Sequence, residues 1–446
     1  ALHTGRYRGG EGAVSKGGML RQAGYTTLMS GKEHFSQWVP EYCRADSSFD
    51  KSFHFWATTE FFVPPSGEFQ RPFFLNGRQL KASELPHQQK PLYKTDAFTT
   101  LALQWLDSAL LEEKPFFLYL PYHAAHYPLQ ARPGDIARYR GQYLQGWDKL
   151  RQQRLAKQKA EGLFPDSLVA PPLSSNTNRF RGHPGGDEER RASIPLYRPW
   201  ESLSEQEKDE LDLEMAVFAA MVDRMDQNIG RVLAWLDEKQ LTENTLILFL
   251  SDNGSCPFDS NRDFGHPPGP ANSYRTLSAA WASLGNTPFR LFKQNGHEGG
   301  ARTHFIAHWP SSITPGTITH EPGHVVDLLP TLLQVAGTSL PEKFAGRSTL
   351  PLHGSSLVPV FKGEDRPDPE FLVSGFGERF RMFTTGEWKL VRENGEAWEL
   401  YHLASDPTEQ RNLATEMPEK VREMERHYQQ INASHLQETG QKSSED

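Results

Sequence analysis

Residues Thr245 to Gly254 read TLILFLSDNG: an unbroken apolar run that stops at a serine, an acid, an amide and a glycine. A run this short, without polar alternation and with a turn at its end, is the pattern of a buried strand. Just upstream, Met215 to Glu238 (MAVFAAMVDRMDQNIGRVLAWLDE) carries apolar residues at helical spacing and predicts a long amphipathic helix. Two further segments, Pro115 to Leu120 and Phe305 to His308, also have the pattern of a buried parallel strand leading into a polar loop. Strand, helix, strand is the grammar of a layered α/β core.

Chemistry collects where these apolar runs end. Asp252, Asn253 and Gly254 follow directly on a strand, at the C-terminal edge where open α/β sheets bind ligands, although Asx-Gly is also ordinary turn chemistry. The run FFLYLPYHAAHYPLQ sets His126 just past another strand, with His123 three residues earlier. No cysteine or carboxylate stands at the spacing that completes a tetrahedral zinc site, so His126 reads as a protonatable group and His123 as a polar loop histidine. Lys293 and Glu298 bracket QNGH ahead of Gly299-Gly300, a turn where backbone can approach a small anion. Finally, Gly24-Tyr25-Thr26-Thr27 leads to Gly31-Lys32-Glu33-His34, setting a fixed cation and a titratable imidazole two residues apart, which suits an anionic ester.

The bulk properties bound these readings. With 446 residues and a net charge of -8, the chain can bury a large core and has no general affinity for nucleic acid. Its apolar runs fall far short of the roughly 18 residues of a membrane span. Cys43 and Cys256 form neither a metal knuckle nor a disulfide framework. A charged, proline-bearing stretch at Lys362 to Pro369 divides a catalytic part, 1–365, from a small C-terminal part, 366–446, which holds the strand candidates WKLV and WELYHL and a final polar helix. Within the first part, 131–214 reads as an insertion: a basic helical excursion, Asp135 to Gly162, and an irregular loop, Pro171 to Arg198.

G-Y-x-T-x-x-x-G-K-x-H, H-Y-P after a strand, L-S-D-N-G, and K-x-x-x-x-E-G-G, in that order, together with GEWKLV and LYHLASDPTEQRNLA in the tail, resemble the type I, formylglycine-dependent sulfatases. ANSYRTLSAAWASLGNTPFRLFKQNGHEGG looks closest to arylsulfatases of the bacterial type. The resemblance implies an α/β, alkaline-phosphatase-like fold, with a large mixed sheet flanked by helices and a small C-terminal antiparallel sheet. It implies hydrolysis of a small-molecule or carbohydrate sulfate ester, one calcium ion per site, a formylglycine-generating maturation enzyme, and a periplasmic or secreted location. By resemblance, Lys32 and Lys293 hold sulfate oxygens, His126 assists the leaving group, and His34 takes the proton that lets sulfate depart. Asp252 and Asn253 ligate calcium, and Asp252 can also accept the nucleophile's proton.

The family's nucleophile lies in C/S-x-P-x-R, a motif that runs on into L-x-T-G-R. Leu2-His3-Thr4-Gly5-Arg6 matches that ending, which puts the nucleophile and the two N-terminal calcium aspartates before Ala1 and predicts that the chain alone is inactive. Neither Cys43, Cys256 nor Ser339-Leu340-Pro341-Glu342-Lys343 fits the motif. Two departures from the family stand out: Glu33 where an aromatic is usual, and His3 where an apolar residue is usual. The rival readings are a phosphatase or phosphonate hydrolase of the same superfamily, against which Asn253 in place of a histidine argues, and a non-catalytic anion-binding homologue.

Overall fold

The structure is a computed structural model that describes residues 4, 6, 11–35, 39–56, 60–62, 72–81, 84, 92–173, 198–257, 266–366, 369–374 and 380–439. Its largest sheet has the order β4-β3-β2-β1-β5, built from β1 (Thr26–Glu33), β2 (Lys51–Trp56), β3 (Phe73–Leu75), β4 (Arg78–Leu80) and β5 (Phe116–Tyr119). β1 lies between two parallel neighbours, β2 and β5, while β2, β3 and β4 pair antiparallel, so the sheet is mixed. On one face the helix Lys94–Leu110 and the end of the helix Glu205–Glu238 bury Phe53, Phe55, Phe73, Phe98, Trp105 and Trp235. A second core gathers Trp147, Trp200 and Trp281 around Val217, Ala220 and Met221 of the same long helix.

β1 falls on the glycine-led segment that carries Lys32 and His34, where the sequence shows no apolar run to predict a strand. TTLMSGKE mixes threonine, serine and a lysine into its apolar residues, yet all of it but Lys32 is buried. Parallel strands on both sides satisfy its backbone, which is what allows so polar a segment into the interior. Gly31 has a φ of 153°, and a Cβ there would stand 2.2 Å from the Pro121 carbonyl oxygen. Glycine therefore lets the chain beyond β5 close against β1, where the Lys32 N–H donates to that same oxygen at 2.8 Å.

β6 (Ile247–Leu250) and β7 (Phe305–His308) are strands, as expected, but they pair with each other and antiparallel, apart from the main sheet. They are also less buried than their composition suggested: β6 is intermediate throughout, and Phe305 and Ile306 are 41% and 56% exposed. An all-apolar run reports the wish for burial; its partner and its direction come from tertiary packing. The long helix starts at Glu205, ahead of its apolar stripe, because Ser204 and Glu207 form a reciprocal capping box that nucleates a polar first stretch.

Helices Pro133–Ala137 and Gly146–Ala160 fill the basic excursion; most of the Pro171 to Arg198 loop lies outside the described residues, as do Leu2, His3 and Gly5. A two-stranded ribbon, β8 (Lys343–Phe344) with β9 (Arg347–Ser348), precedes the C-terminal sheet. That sheet runs β10 (Glu370–Ser374), β11 (Phe380–Thr385), β12 (Trp388–Glu393) and β13 (Glu399–His402), antiparallel throughout. WKLV and WELYHL are its last two strands, and Phe383, Leu390, Trp398 and Leu400 pack on Met424 and Tyr428 of the final helix, Pro418–Thr439.

Candidate active site

Lys32 and His34 leave the C-terminal end of β1, and the chain that follows β5 passes beside them. There the His126 N–H donates to the His123 carbonyl at 3.0 Å, and the two imidazoles stack with centroids 5.6 Å apart. His123 is not the polar loop residue the sequence suggested. It is 3% exposed, lies flat on Phe61 at 4.4 Å and meets the edge of Phe55 at 5.4 Å. Those rings come from distant parts of the chain, which is why no local pattern announced the burial. The His126 Nδ1 stands 3.0 Å from the Tyr127 carbonyl, which can only accept; Nδ1 therefore carries the proton, and Nε2 is the basic nitrogen of the neutral ring.

Asp252 and Asn253 follow β6. Ser251 Oγ donates to the Asn253 carbonyl at 2.8 Å, and Asn253 Nδ2 donates to the Gly254 carbonyl at 3.0 Å, which leaves the amide oxygen as the atom suited to a cation. The Gly254 N–H reaches the Gly300 carbonyl at 3.0 Å, and the Lys293 N–H reaches the Ser255 carbonyl at 3.0 Å. A Cβ on Gly254 would stand 1.8 Å from the Gly299 oxygen, so glycine is what lets the two loops touch.

Ionisation binds these segments into one neighbourhood. Burial first, then the like charge of Lys293, pulls Lys32 down to about 8 against the opposing fields of Asp252 and Cys256. His34, although its side chain is partly open to solvent, is pulled down to about 4, by burial first and then by Lys32 and Lys293, with Asp252 opposing. His126 lies well below the usual imidazole value, through burial and then the fields of Lys293 and Lys32. Near neutral pH the site thus combines two cationic lysines with two neutral imidazoles and one carboxylate, a setting for a small anion. Cys256 lies in the field of Lys32, and Tyr119, pushed up by burial first and then by Asp252 and Glu33, lies near the same carboxylate; neither belongs to the family motifs quoted above.

Glu298 turns away from this pocket. It pairs with Lys389 at 2.6 Å and Arg302 at 2.5 Å in the contact with the C-terminal sheet, and Lys389 also meets Glu409 at 2.8 Å. Lys389, 91 residues from Glu298 along the chain, leaves no signal in local spacing. Asp252 and Asn253 offer oxygen donors, the kind a hard cation such as calcium takes, and two donors are part of a six- to eight-oxygen shell. Among the described residues no group of three or more His, Cys, Asp or Glu is arranged to hold a metal.

Residues 17–338 match the sulfatase family, and residues 289–435 match the family described as N-sulphoglucosamine sulphohydrolase, C-terminal. The chain is 30% identical to an arylsulfatase of Klebsiella aerogenes over 76% of its own length and 71% of that protein's. It is also 30% identical to an uncharacterized sulfatase of Schizosaccharomyces pombe, over 91% of this chain and 74% of the other. Its fold is similar, with a TM-score of 0.61 at 18% identity, to a structure solved in complex with its substrate D-glucosamine-2-N,6-O-disulfate, covering 98% of this chain and 87% of that one. With a family match spanning most of the chain and relatives of the same kind aligned over 76% and 91% of it, the chain belongs to the sulfatase family, the type I hydrolases of sulfuric esters.

Proposed function

We propose that Lys32, His34, His126 and Lys293 handle the sulfate group of a small-molecule or carbohydrate sulfate ester, and that Asp252 and Asn253 hold calcium. The observation that carries this reading is that Lys32, His34 and His126 all lie in the field of Lys293, and Lys32 and His34 also in that of Asp252, although these groups come from four separate stretches of chain. Lys32 and Lys293 bind and orient the sulfate oxygens, and their positive charge counters the charge that builds as the ester S–O bond breaks.

His126 is neutral before substrate arrives. Burial first, and then the fields of Lys293 and Lys32, holds the imidazole's pKa down; a sulfate set between the lysines and the ring offsets those fields, so substrate binding moves the pKa up and favours uptake of a proton on Nε2. The departing ester oxygen receives that proton as the bond breaks, which is general-acid assistance. His34, also kept neutral, serves as a base for the step in which sulfate leaves. Calcium, when bound, supplies further positive charge beside the sulfate, and formylglycine supplies the attacking oxygen. In this reading residues 1–365 form the catalytic part and 366–446 a supporting part.

No cysteine or serine of the chain stands in C/S-x-P-x-R, so turnover is to be measured on the chain joined to a segment carrying that motif in its formylglycine form. Hydrolysis of an aryl sulfate in the presence of calcium, at a rate far above that of the matching aryl phosphate, is the expected result. Preference for the phosphate would overturn the reading.

A further inference from the structure

The loop that carries Lys293 is held on two sides. Toward the site it is tied through Lys293 N–H to Ser255 O and Gly254 N–H to Gly300 O, with the Asn286 side chain donating to Leu291 O and accepting from Ser255 N–H. Away from the site it is tied by side chains to the C-terminal sheet, and a histidine that the proposed mechanism does not use stands at the centre of that attachment. His297 is 2% exposed, with Nδ1 3.1 Å from Glu393 on β12 and Nε2 2.9 Å from Glu399 on β13. Both nitrogens face carboxylates, which only accept when ionised, so a proton on each nitrogen satisfies both contacts at once.

We propose that His297 is a positioning residue for Lys293, a cationic bridge through which the C-terminal sheet fixes the anion-binding end of the site. The inference rests on the assignment of Lys293 to the sulfate. Several contacts make the bridge specific to this loop. The Gly296 N–H shares Glu393 at 3.2 Å, the Gly299 N–H closes the loop on the Arg290 carbonyl at 2.8 Å, and the Arg290 guanidinium donates to Tyr401 Oη at 2.8 Å. Tyr401 in turn donates to Glu399 at 2.5 Å.

The charged and titratable groups around the ring are Glu298 and Arg290 on its own loop, Glu393 on β12, Glu399 and Tyr401 on β13, and Glu409 beyond them. Burial works to lower the His297 pKa, but the hydrogen bonds to Glu393 and Glu399 and the field of Glu409 override it, and the value is raised. Glu399 mirrors this: burial works to raise it, and His297 holds it at about 2. Loss of the His297 proton would leave Glu393 and Glu399 facing a neutral ring that can donate to only one of them. The attachment of the loop, and with it the placement of Lys293, weakens as pH rises through the His297 titration. Lys32, at about 8, titrates separately, and because it is unchanged in every variant compared its contribution to the pH profile is common to all of them.

The test is calorimetric titration of inorganic sulfate into the full chain between pH 5.5 and 8.5. Expected results at pH 6 are a loss of about five- to tenfold in sulfate affinity for His297→Gln and recovery in His297→Gln/Glu393→Gln, where the excess carboxylate charge is gone. Glu393→Gln alone, a change that keeps the His297–Glu399 contact and the fold, is expected to move the pH at which affinity falls to a lower value. In a Lys293→Met background, His297→Gln is expected to have no further effect on affinity. If Lys293→Met itself leaves sulfate binding unchanged, the assignment of Lys293 fails and the inference with it. If Lys293→Met abolishes binding but Glu393→Gln leaves the pH profile unmoved, or His297→Gln costs the same affinity with and without Lys293, the positioning role alone is overturned.

Discussion

Lys389→Met isolates how much of the site's scaffold depends on one buried charge. Lys389 is fully buried, 2.6 Å from Glu298 and 2.8 Å from Glu409, and both carboxylates are themselves buried. Burial works to lower the lysine's pKa, yet the two carboxylates raise it, so the cation is held by its partners. Methionine fills the same volume without charge. It leaves Glu298 with Arg302, and it leaves Glu409, at 0% exposure, with the Glu298 N–H at 2.7 Å but no lysine. Removing one member of a buried pair costs about 3–5 kcal/mol, mostly as the penalty of the abandoned charge. That penalty depends on pH with a definite sign. An abandoned carboxyl has its folded-state pKa raised above the unfolded value, so the folded variant binds a proton that the unfolded chain has released, and the variant's stability falls as pH rises. The cost should therefore be larger at pH 8 than at pH 5, and Lys389→Met/Glu409→Gln should recover more than about 1 kcal/mol of it. Urea unfolding followed by tryptophan fluorescence, to which the chain's ten tryptophans contribute, Trp388 and Trp398 around the C-terminal sheet among them, measures these values as midpoint shifts at constant slope. A cost below about 1 kcal/mol at pH 8, or an equal cost at pH 5 and pH 8, would refute the view that an uncompensated buried charge is what the variant creates.

In the chain joined to a formylglycine segment, His126→Ala is expected to lower kcat by on the order of a hundredfold with a much smaller change in KM, because leaving-group protonation develops only in the transition state; steady-state kinetics on aryl sulfates reads the split. His123, with its pKa held well below the usual 6.5 by burial first and then by the Lys32, His126, Lys94 and Lys293 charges, contributes no pH dependence while both folded and unfolded chains are neutral. Below about 6.5 the unfolded chain gains a proton that the folded chain refuses, so stability drops on acidification, and His123→Phe should show a shallower drop in urea midpoint between pH 7.5 and pH 5. Gly254→Ala forces apart loops whose backbones would otherwise meet a Cβ at 1.8 Å, and should cost on the order of 2–3 kcal/mol and most of the sulfate affinity. Gly230→Ala, on an open helix face with nothing within 4 Å, serves as the control and should be neutral or stabilising.

What the sequence alone determined was the family and its reaction class. The runs ending ahead of Asp252 and His126, the glycine-led segment at Lys32 and the Lys293 stretch that leads into Gly299-Gly300 carried the motifs whose order along the chain identified the family. Apolar runs are local physics, so the strands β5, β6, β7, β12 and β13 were legible within a few residues, as was the long helix from Met215 to its end, while its polar start at Glu205 was not. Tertiary structure decided the rest, because the deciding contacts join residues far apart in the chain. Polar TTLMSGKE becomes an interior strand only with β2 and β5 on either side; TLILFL pairs with Phe305–His308 in a direction that its composition does not encode. His123 is a core residue only because Phe55 and Phe61 wall it in, and Glu298 leaves the pocket only because Lys389 waits on another sheet. Burial and electrostatic fields depend on distance in space, and a linear pattern carries that information only where neighbours in space are also neighbours in sequence.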